Sequence, residues 1–417
     1  MIDNFPDDLK PRKILRQIIR FLDEKEIILL YGMRQTGKTH LLYLIANYFI
    51  KNKKVDKKQI VYFDLENIAD FEKLEKLKDF NDLITILKKD IQVDFTKKVY
   101  VFIDEIQYLT SPSSFLKYLY DHHKEKIKFI VTGSSSLEIK KKFTDALTGR
   151  VFRFELEPLS YEEFLNFKKL LPSKRTFSDF VIYGGFPAVS LKKDNQIRER
   201  LLKEIYSLYI RRDIRDLGNI EDVISFNKLG GVLAAQIGGL LSDVNLANVV
   251  AISRPTIRNY LFLLENTFVV YLLLPFFTNP KKEITKMPKV YFNDTGIRNA
   301  VLNNFTVLDK RIDMGALVEN TVFAEFKKKT IEKIHFWRSD RKQEVDFIIK
   351  NKNQLIPIEV KYQSMRKVIV PSNLAYFIKK YKSERAYVLT KELEDMIYLD
   401  KTQVIFYPCW KLNRIKF

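Results

Sequence analysis

The sequence predicts an α/β chain of several domains: a parallel-sheet, phosphate-binding domain first, a helical and winged-helix middle, and a smaller α/β domain last. Three observations carry this reading. A strand-like apolar run from Ile27 to Tyr31 enters a glycine loop and continues as a helical pattern from Lys38. A second run, KVYVFIDEIQ from Lys98 to Gln107, stays apolar until it reaches two adjacent acids. Near the C-terminus the helical pattern MGALVENTVFAEFKKK precedes three strand-like segments, KIHFWRS, EVDFIIK and LIPIEVKY. At about 150 residues per domain, a chain of 417 residues makes two or three domains, each large enough to bury a core.

Composition bounds the class. Apolar residues make up 46%, charged residues 30%, and Gly plus Pro only 26 of 417, a globular balance that argues against a disordered or fibrous chain. The longest apolar run, Phe268 to Phe277, is too short to span a bilayer, and Pro275 would stop a helix there; no membrane association is expected. The N-terminus has no apolar signal core. A single cysteine, Cys409, and four histidines leave no internal disulfide and argue against structural zinc. A cytoplasmic location is the expectation. The net charge of +20 is unevenly spread: residues 1–150 carry 28 basic against 22 acidic residues, and residues 281–417 carry 28 against 16. A basic field gathers polyanions, so nucleic acid, DNA first, is the partner to consider; a lysine-rich solubilising surface explains the charge equally well.

The glycine loop reads Gly32-Met33-Arg34-Gln35-Thr36-Gly37-Lys38-Thr39, a complete GxxxxGK[ST] between a strand and a helix. Glycines let backbone N–H groups turn inward around phosphates. Lys38 can reach the β- and γ-phosphates, Thr39 can offer a hydroxyl to Mg²⁺, and the helix N-terminus adds its dipole. ATP and Mg²⁺ are therefore the expected ligands. Asp104, at the end of the second run, can hold the Mg²⁺ water shell, and Glu105 can polarise an attacking water. Surface strands alternate, and this one does not.

A third strand, KFIVT, opens into Gly133 and Ser134. Ser134 could stand between Asp104 and the γ-phosphate, or simply cap a helix. Arg150 follows in Leu147-Thr148-Gly149-Arg150; an arginine finger, in cis or across a homo-oligomer interface, competes there with a surface ion pair.

The order GMRQTGKT, VFIDEIQ, VTGSSS, LTGR, PLSYEEF and YGGFPAV resembles the archaeal and bacterial AAA-family ATPases that carry an uncharacterised C-terminal domain. YIRRDI, YFNDTG and LVEN extend the resemblance through the whole chain. It implies an AAA-like α/β ATPase core, a helical and winged-helix middle, and a restriction-nuclease-like C-terminal domain. The expected boundaries are 1–157 for the ATPase domain, 158–225 for a helical lid or linker, 226–293 for the winged helix-turn-helix, and 294–417 for the nuclease-like domain.

In the middle, SYEEFLNFKKLL and NQIRERLLKEIYSLYIRRDIRDL show apolar spacing near 3.6, and Gly184-Gly185-Phe186-Pro187 breaks the helices. A helix over Leu229–Leu240 is followed by a short one at Leu246–Val250, a turn at Ala251–Ser253, and a helix with Pro255 in its first turn. Arg254, Thr256, Arg258 and Asn259 would lie on a recognition helix, with Phe268–Phe276 and Lys289–Phe292 as wing strands. DNA reading and protein docking both suit such a module.

In the last third, Glu359 and Lys361 are two residues apart and project from one strand face. Twelve residues separate Asp346 from Glu359, which puts Asp346 on the neighbouring antiparallel strand if the segments pair through the polar turn. This D-x12-E-x-K spacing resembles the PD-(D/E)xK nuclease core, with Val345 where that pattern has proline. Asp346 and Glu359 would then bind metal, Glu319 would approach from the preceding helix, and Lys361 would stabilise phosphate charge. A structural ion pair with Lys361 is the competing reading. The function expected is an Mg²⁺-dependent ATPase coupled to a nucleic-acid-facing, nuclease-like module; the alternative is a regulatory NTP switch that docks protein partners and carries a non-catalytic nuclease-like domain.

Overall fold

A computed structural model describes residues 6, 8–133, 147–216, 222–279, 281, 283, 286–330, 332–351 and 354–415. They fall in two compact units, Met1–Glu157 and Pro158–Phe417.

The first unit is built on five parallel strands: β1 (Ile27–Tyr31), β2 (Ile60–Asp64), β3 (Val99–Asp104), β4 (Ile127–Gly133) and β5 (Val151–Glu155), in the order β2-β3-β4-β1-β5. The near-continuous apolar runs follow from burial on both faces. Ile27 and Leu29 join one hydrophobic cluster with Val61, Val101 and Phe129, while Ile28 and Leu30 join another with Leu41, Ile45 and Phe49 of the helix Lys38–Lys51. Alternate side chains of one strand thus anchor two layers. Because β4 lies between β1 and β3, the loop after β1 faces the end of β3 across the end of β4. Lys128, near the start of β4, is fully buried; its ammonium donates to the carbonyls of Phe21, Glu24 and Glu26, and burial pushes its pKa down to about 7.

The second unit opens with helices Tyr161–Lys168, Lys174–Tyr183 and Asn195–Tyr209. The first two start in capping boxes, Ser160 with Glu163 and Ser173 with Thr176. Three more helices follow, Val223–Ala235, Asp243–Val250 and Arg254–Asn266, and then the antiparallel pair β6 (Val270–Leu273) and β7 (Lys289–Phe292). The first of these three ends before the sequence suggests, at Ala235, and Gly238 then takes φ +72°. The first wing strand is also shorter than its apolar run: Phe268 is left-handed (φ 64°), and Pro275 has no N–H to pair. Arg254, Thr256, Arg258 and Asn259 do share the helix Arg254–Asn266, whose N-cap Ser253 accepts from the Thr256 amide.

The unit closes on a six-stranded mixed sheet. Its strands are β8 (Ile334–Arg338), β9 (Glu344–Asn351), β10 (Gln354–Lys361), β11 (Arg385–Thr390), β12 (Asp395–Leu399) and β13 (Thr402–Pro408), in the order β12-β13-β11-β10-β9-β8. The helix Ser372–Tyr381 covers it through Leu374, Phe377 and Ile378, packed with Trp337, Ile348, Val388 and Phe406. No helix among the described residues is long and apolar enough to cross a membrane.

Candidate nucleotide site and the C-terminal carboxylate cluster

The loop from Gly32 to Thr39 turns tightly because its glycines permit it. Gly32 has φ +142°, and a Cβ there would sit 2.4 Å from the Leu156 carbonyl oxygen; Gly37 has φ +95°. Gln35 also takes a positive φ, 60°, and the buried Thr36 hydroxyl donates to the Met33 carbonyl at 2.9 Å. Met33 is buried, and Arg34 is half-buried. Lys38, 4% exposed, donates to the carbonyls of Gly32 at 3.1 Å and Met33 at 2.8 Å. Its ammonium is thereby held in the hollow of the loop, where a phosphate chain would compete for it.

Thr39 and Asp104, 65 positions apart, meet: the Thr39 hydroxyl donates to Asp104 Oδ2 at 2.6 Å. Two further donors converge on the same carboxylate, the Tyr62 hydroxyl at 3.0 Å and the Thr132 hydroxyl. Burial raises the Asp104 pKa against the opposing pull of the Thr132, Thr39 and Tyr62 donors. Burial, with the Asp104 charge adding to it, pushes the Tyr62 phenol far up. Glu105 is left-handed (φ 56°), and its amide donates to Thr132 Oγ1 at 2.9 Å, while its carboxylate accepts from the Gln107 amide. A hydroxyl against a buried carboxylate is a hard-oxygen pair of the kind magnesium takes. The residues present fit that ion.

Sequence reasoning missed Tyr62, Gln107 and Thr132, although a polar residue ending the buried run KFIVT was a usable signal for the last. It also missed Arg12. That guanidinium, 6% exposed, donates to the Thr36 carbonyl at 2.7 Å and the Glu157 carbonyl at 2.8 Å, so it braces the loop from the N-terminal segment. Ser134 lies outside the described residues. The expectation for Arg150 needs correction. Its carbonyl accepts from the Ile27 amide at the start of β1, and its guanidinium grips Asp121 at 2.7 and 3.2 Å. The loop leaves the other end of β1, five residues or about 17 Å away. A finger acting in cis is therefore not what the structure holds; the surface ion pair is.

In the second unit β9 and β10 pair antiparallel with Phe347 opposite Ile358, which brings Asp346 beside Glu359 in the register that the D-x12-E spacing predicts. Asp346 Oδ2 accepts from the Val360 amide at 2.7 Å. Glu359, 2% exposed, pairs with Lys361 at 2.7 Å, and its Oε2 has no hydrogen-bond partner among the described residues. Glu319, from the helix Met314–Lys329, accepts from Tyr291 at 2.6 Å and stands 3.6 Å from Lys289. Lys289, a charged residue inside the apolar strand β7, also reaches Glu344 at 2.5 Å; sequence reading passed over it and Tyr291. Burial, reinforced by the Asp346 charge, pushes Glu319 up to about 7 and Glu359 up to about 8. Burial raises Asp346 as well.

This geometry brings Asp346 and Glu359, the two expected metal ligands, side by side. No group of three or more His, Cys, Asp or Glu side chains among the described residues is placed to hold a metal ion. Glu319 accepts from Tyr291 and lies near Lys289 while the Asp346 charge also acts on it, and Lys361 pairs with Glu359.

Comparison with known proteins places family likeness along the chain. Residues 24–165 match an AAA domain, residues 174–307 a domain of unknown function (DUF8612), and residues 314–410 a second domain of unknown function (DUF4143). An uncharacterized protein of Haemophilus influenzae is 25% identical over 408 residues, covering 96% of this chain and 97% of that protein. One from Methanocaldococcus jannaschii is 28% identical over 381 residues, 87% of this chain and 80% of that protein. Among solved structures, the Walker-type ATPase of Pyrococcus abyssi is 13% identical with a TM-score of 0.47, covering 72% of this chain and all of that one. The ORC2 protein of Aeropyrum pernix is 12% identical with a TM-score of 0.44, covering 73% and 96%. The N-terminal unit is a parallel-sheet α/β P-loop domain, and residues 24–165 are similar in sequence to an AAA domain.

Proposed function

We propose that this protein binds and hydrolyses ATP with Mg²⁺ and couples its nucleotide state to a nucleic-acid-facing C-terminal module. The observation that carries the reading is the 2.6 Å contact between Thr39 and Asp104. In this reading the backbone of residues 32–39 cradles the phosphate chain, and Lys38 exchanges its loop carbonyls for the β- and γ-phosphates. Thr39 and Asp104 would hold a magnesium ion, which would neutralise charge that develops on the phosphates. Glu105 orients and polarises the attacking water, with Gln107 and Thr132 fixing its carboxylate and its backbone. The net +12 of residues 281–417 supports nucleic acid, DNA first, as the partner of the second unit.

The finer form of the proposal makes that module nuclease-like. The pairing of β9 with β10, which sets Asp346 beside Glu359, supports it. A second reading rests on a different observation: Lys361 pairs with Glu359 at 2.7 Å, which favours a non-catalytic domain on a regulatory switch with protein partners docking on the helix-turn-helix. One assay tests both. ATP turnover is measured with and without single-stranded, double-stranded and forked DNA, and strand cleavage is scored in the same tubes. DNA-stimulated turnover supports coupling, and cleavage decides for the nuclease form. Turnover unaffected by every DNA, with no cleavage, sinks the coupling and leaves the switch.

A further inference from the structure

A cavity of about 650 Å³ opens in the second unit among the helices Tyr161–Lys168, Lys174–Tyr183 and Asn195–Tyr209 and the segment around Phe305. Its volume lies within the range of about 300–1,000 Å³ common to small-molecule sites. Its charged lining is Lys168, Arg175, Lys193 and Arg198 against a single carboxylate, Asp179. Asp179 is already committed: Arg198 grips it at 2.6 and 3.1 Å, and Lys168 approaches it at 3.4 Å. Arg175 and Lys193 are exposed and make no ion pair among the described residues. The cavity therefore presents surplus positive charge at its mouth and a fixed guanidinium in its wall.

That guanidinium is the more telling part. Arg198 is 2% exposed, and its Nε is buried with no hydrogen-bond partner among the described residues. Buried polar groups in native folds are nearly always paired, and an arginine N–H is a preferred donor to phosphate oxygen. The Arg198 guanidinium also lies 3.7 Å from the centre of the Tyr183 ring, and Phe305 stacks on Tyr183 at 5.8 Å with 11° between the planes. Leu170 and Val307 extend an apolar wall beside Phe305. One side of the cavity suits a phosphate, and the other suits a flat apolar ring.

We propose that this cavity is a second ligand site, separate from the P-loop, that binds a mononucleotide-sized phosphate ester, with the phosphate toward Arg175, Lys193 and Arg198 and the ring toward Phe305. The test is titration calorimetry of adenosine 5′-monophosphate into the full chain carrying Lys38→Ala, which removes the phosphate-reaching lysine of the P-loop. The expected result is saturable binding of one AMP per chain, displaced by ribose 5-phosphate and not by adenosine. The double variant Arg175→Glu/Lys193→Glu changes only exposed side chains, so its fold is checked by an unaltered melting curve; it should weaken AMP at least tenfold. No saturable binding up to millimolar AMP overturns the proposal, as does binding unchanged in the double variant or matched by adenosine. A 5′-phosphorylated oligonucleotide that binds where AMP does not also overturns it, in favour of a nucleic-acid end.

Discussion

The Thr132 hydroxyl, at the end of β4, donates to Asp104, at the end of β3. The same oxygen accepts the Glu105 amide, so one side chain on the intervening strand sets both neighbouring acids. Thr132→Val keeps the shape and removes both bonds. Leaving a buried carboxylate and an amide short of a partner costs about 1–3 kcal/mol, visible as a lower melting temperature. We expect ATP affinity to hold while turnover falls by about 10- to 100-fold. Turnover at the parental rate would show that Thr132 is structural only.

Lys38→Ala should abolish or greatly weaken ATP binding, because the loop loses the ammonium now held by the Gly32 and Met33 carbonyls. Glu105→Gln should retain ATP and hydrolyse it about 100-fold more slowly or worse, since the amide no longer polarises water while Asp104 and Thr39 remain. Binding by equilibrium dialysis beside steady-state turnover separates the two effects. Parental turnover in Glu105→Gln would remove that residue from the reaction.

Stability should respond to pH through Glu319 and Glu359, raised to about 7 and about 8 in the folded chain from about 4.3 when unfolded. Between those values the folded state binds more protons than the unfolded state, so stability falls as pH rises. The melting temperature of the second unit should therefore drop between about pH 5 and pH 8. Glu359→Gln should flatten that slope by on the order of 1 kcal/mol, or about 2–4 °C for a unit of this size. A slope that is the same in the variant would mean Glu359 is ionised in the fold.

DNA should bind the second unit more tightly than the first. Residues 158–417 carry 43 basic against 28 acidic residues, and residues 1–157 carry 29 against 24. The structure also fixes where to cut: a fragment starting near Lys281 would strand β7 without β6, whereas Pro158 begins a compact unit. Affinity of the 158–417 fragment should fall steeply and linearly on a log–log salt plot. Equal affinities for the two fragments would return the charge to a solubility role.

The first unit was the most legible in sequence, because a phosphate loop is a local pattern whose backbone and side chains lie within eight residues. Asp104 and Glu105 were legible for a related reason: a run buried on both faces cannot end in two acids without notice. Thr132, Tyr62 and Arg12 reach the site from other strands or from the N-terminal segment, and a long-range hydrogen bond leaves no periodicity. Arg150 shows the converse. It has the residue type of a finger and a convincing neighbourhood in the chain, yet strand register carries it to the far end of the sheet. At the C-terminus the pairing of β9 and β10 could be read from alternation and a polar turn, whereas side-chain choices within the cluster could not. Lys289 and Tyr291, both contributed by β7, are partners of Glu319, and nothing near Glu319 in sequence announces them. The last three strands give mixed signals: β11 is buried along nearly its whole length, and β13, Thr402 to Pro408, alternates.

Arg12 reaches across 24 residues of chain to hold the Thr36 carbonyl and across 145 to hold that of Glu157. With this strut in place, the conformational freedom of the loop is surrendered when the domain folds, not when a ligand arrives. Calorimetry of nucleotide binding should then show a small entropic penalty in the parent chain and a larger one in Arg12→Met, with affinity lost mainly through faster association-independent release. The N-terminal segment would in that case govern residence time at a loop that it does not belong to.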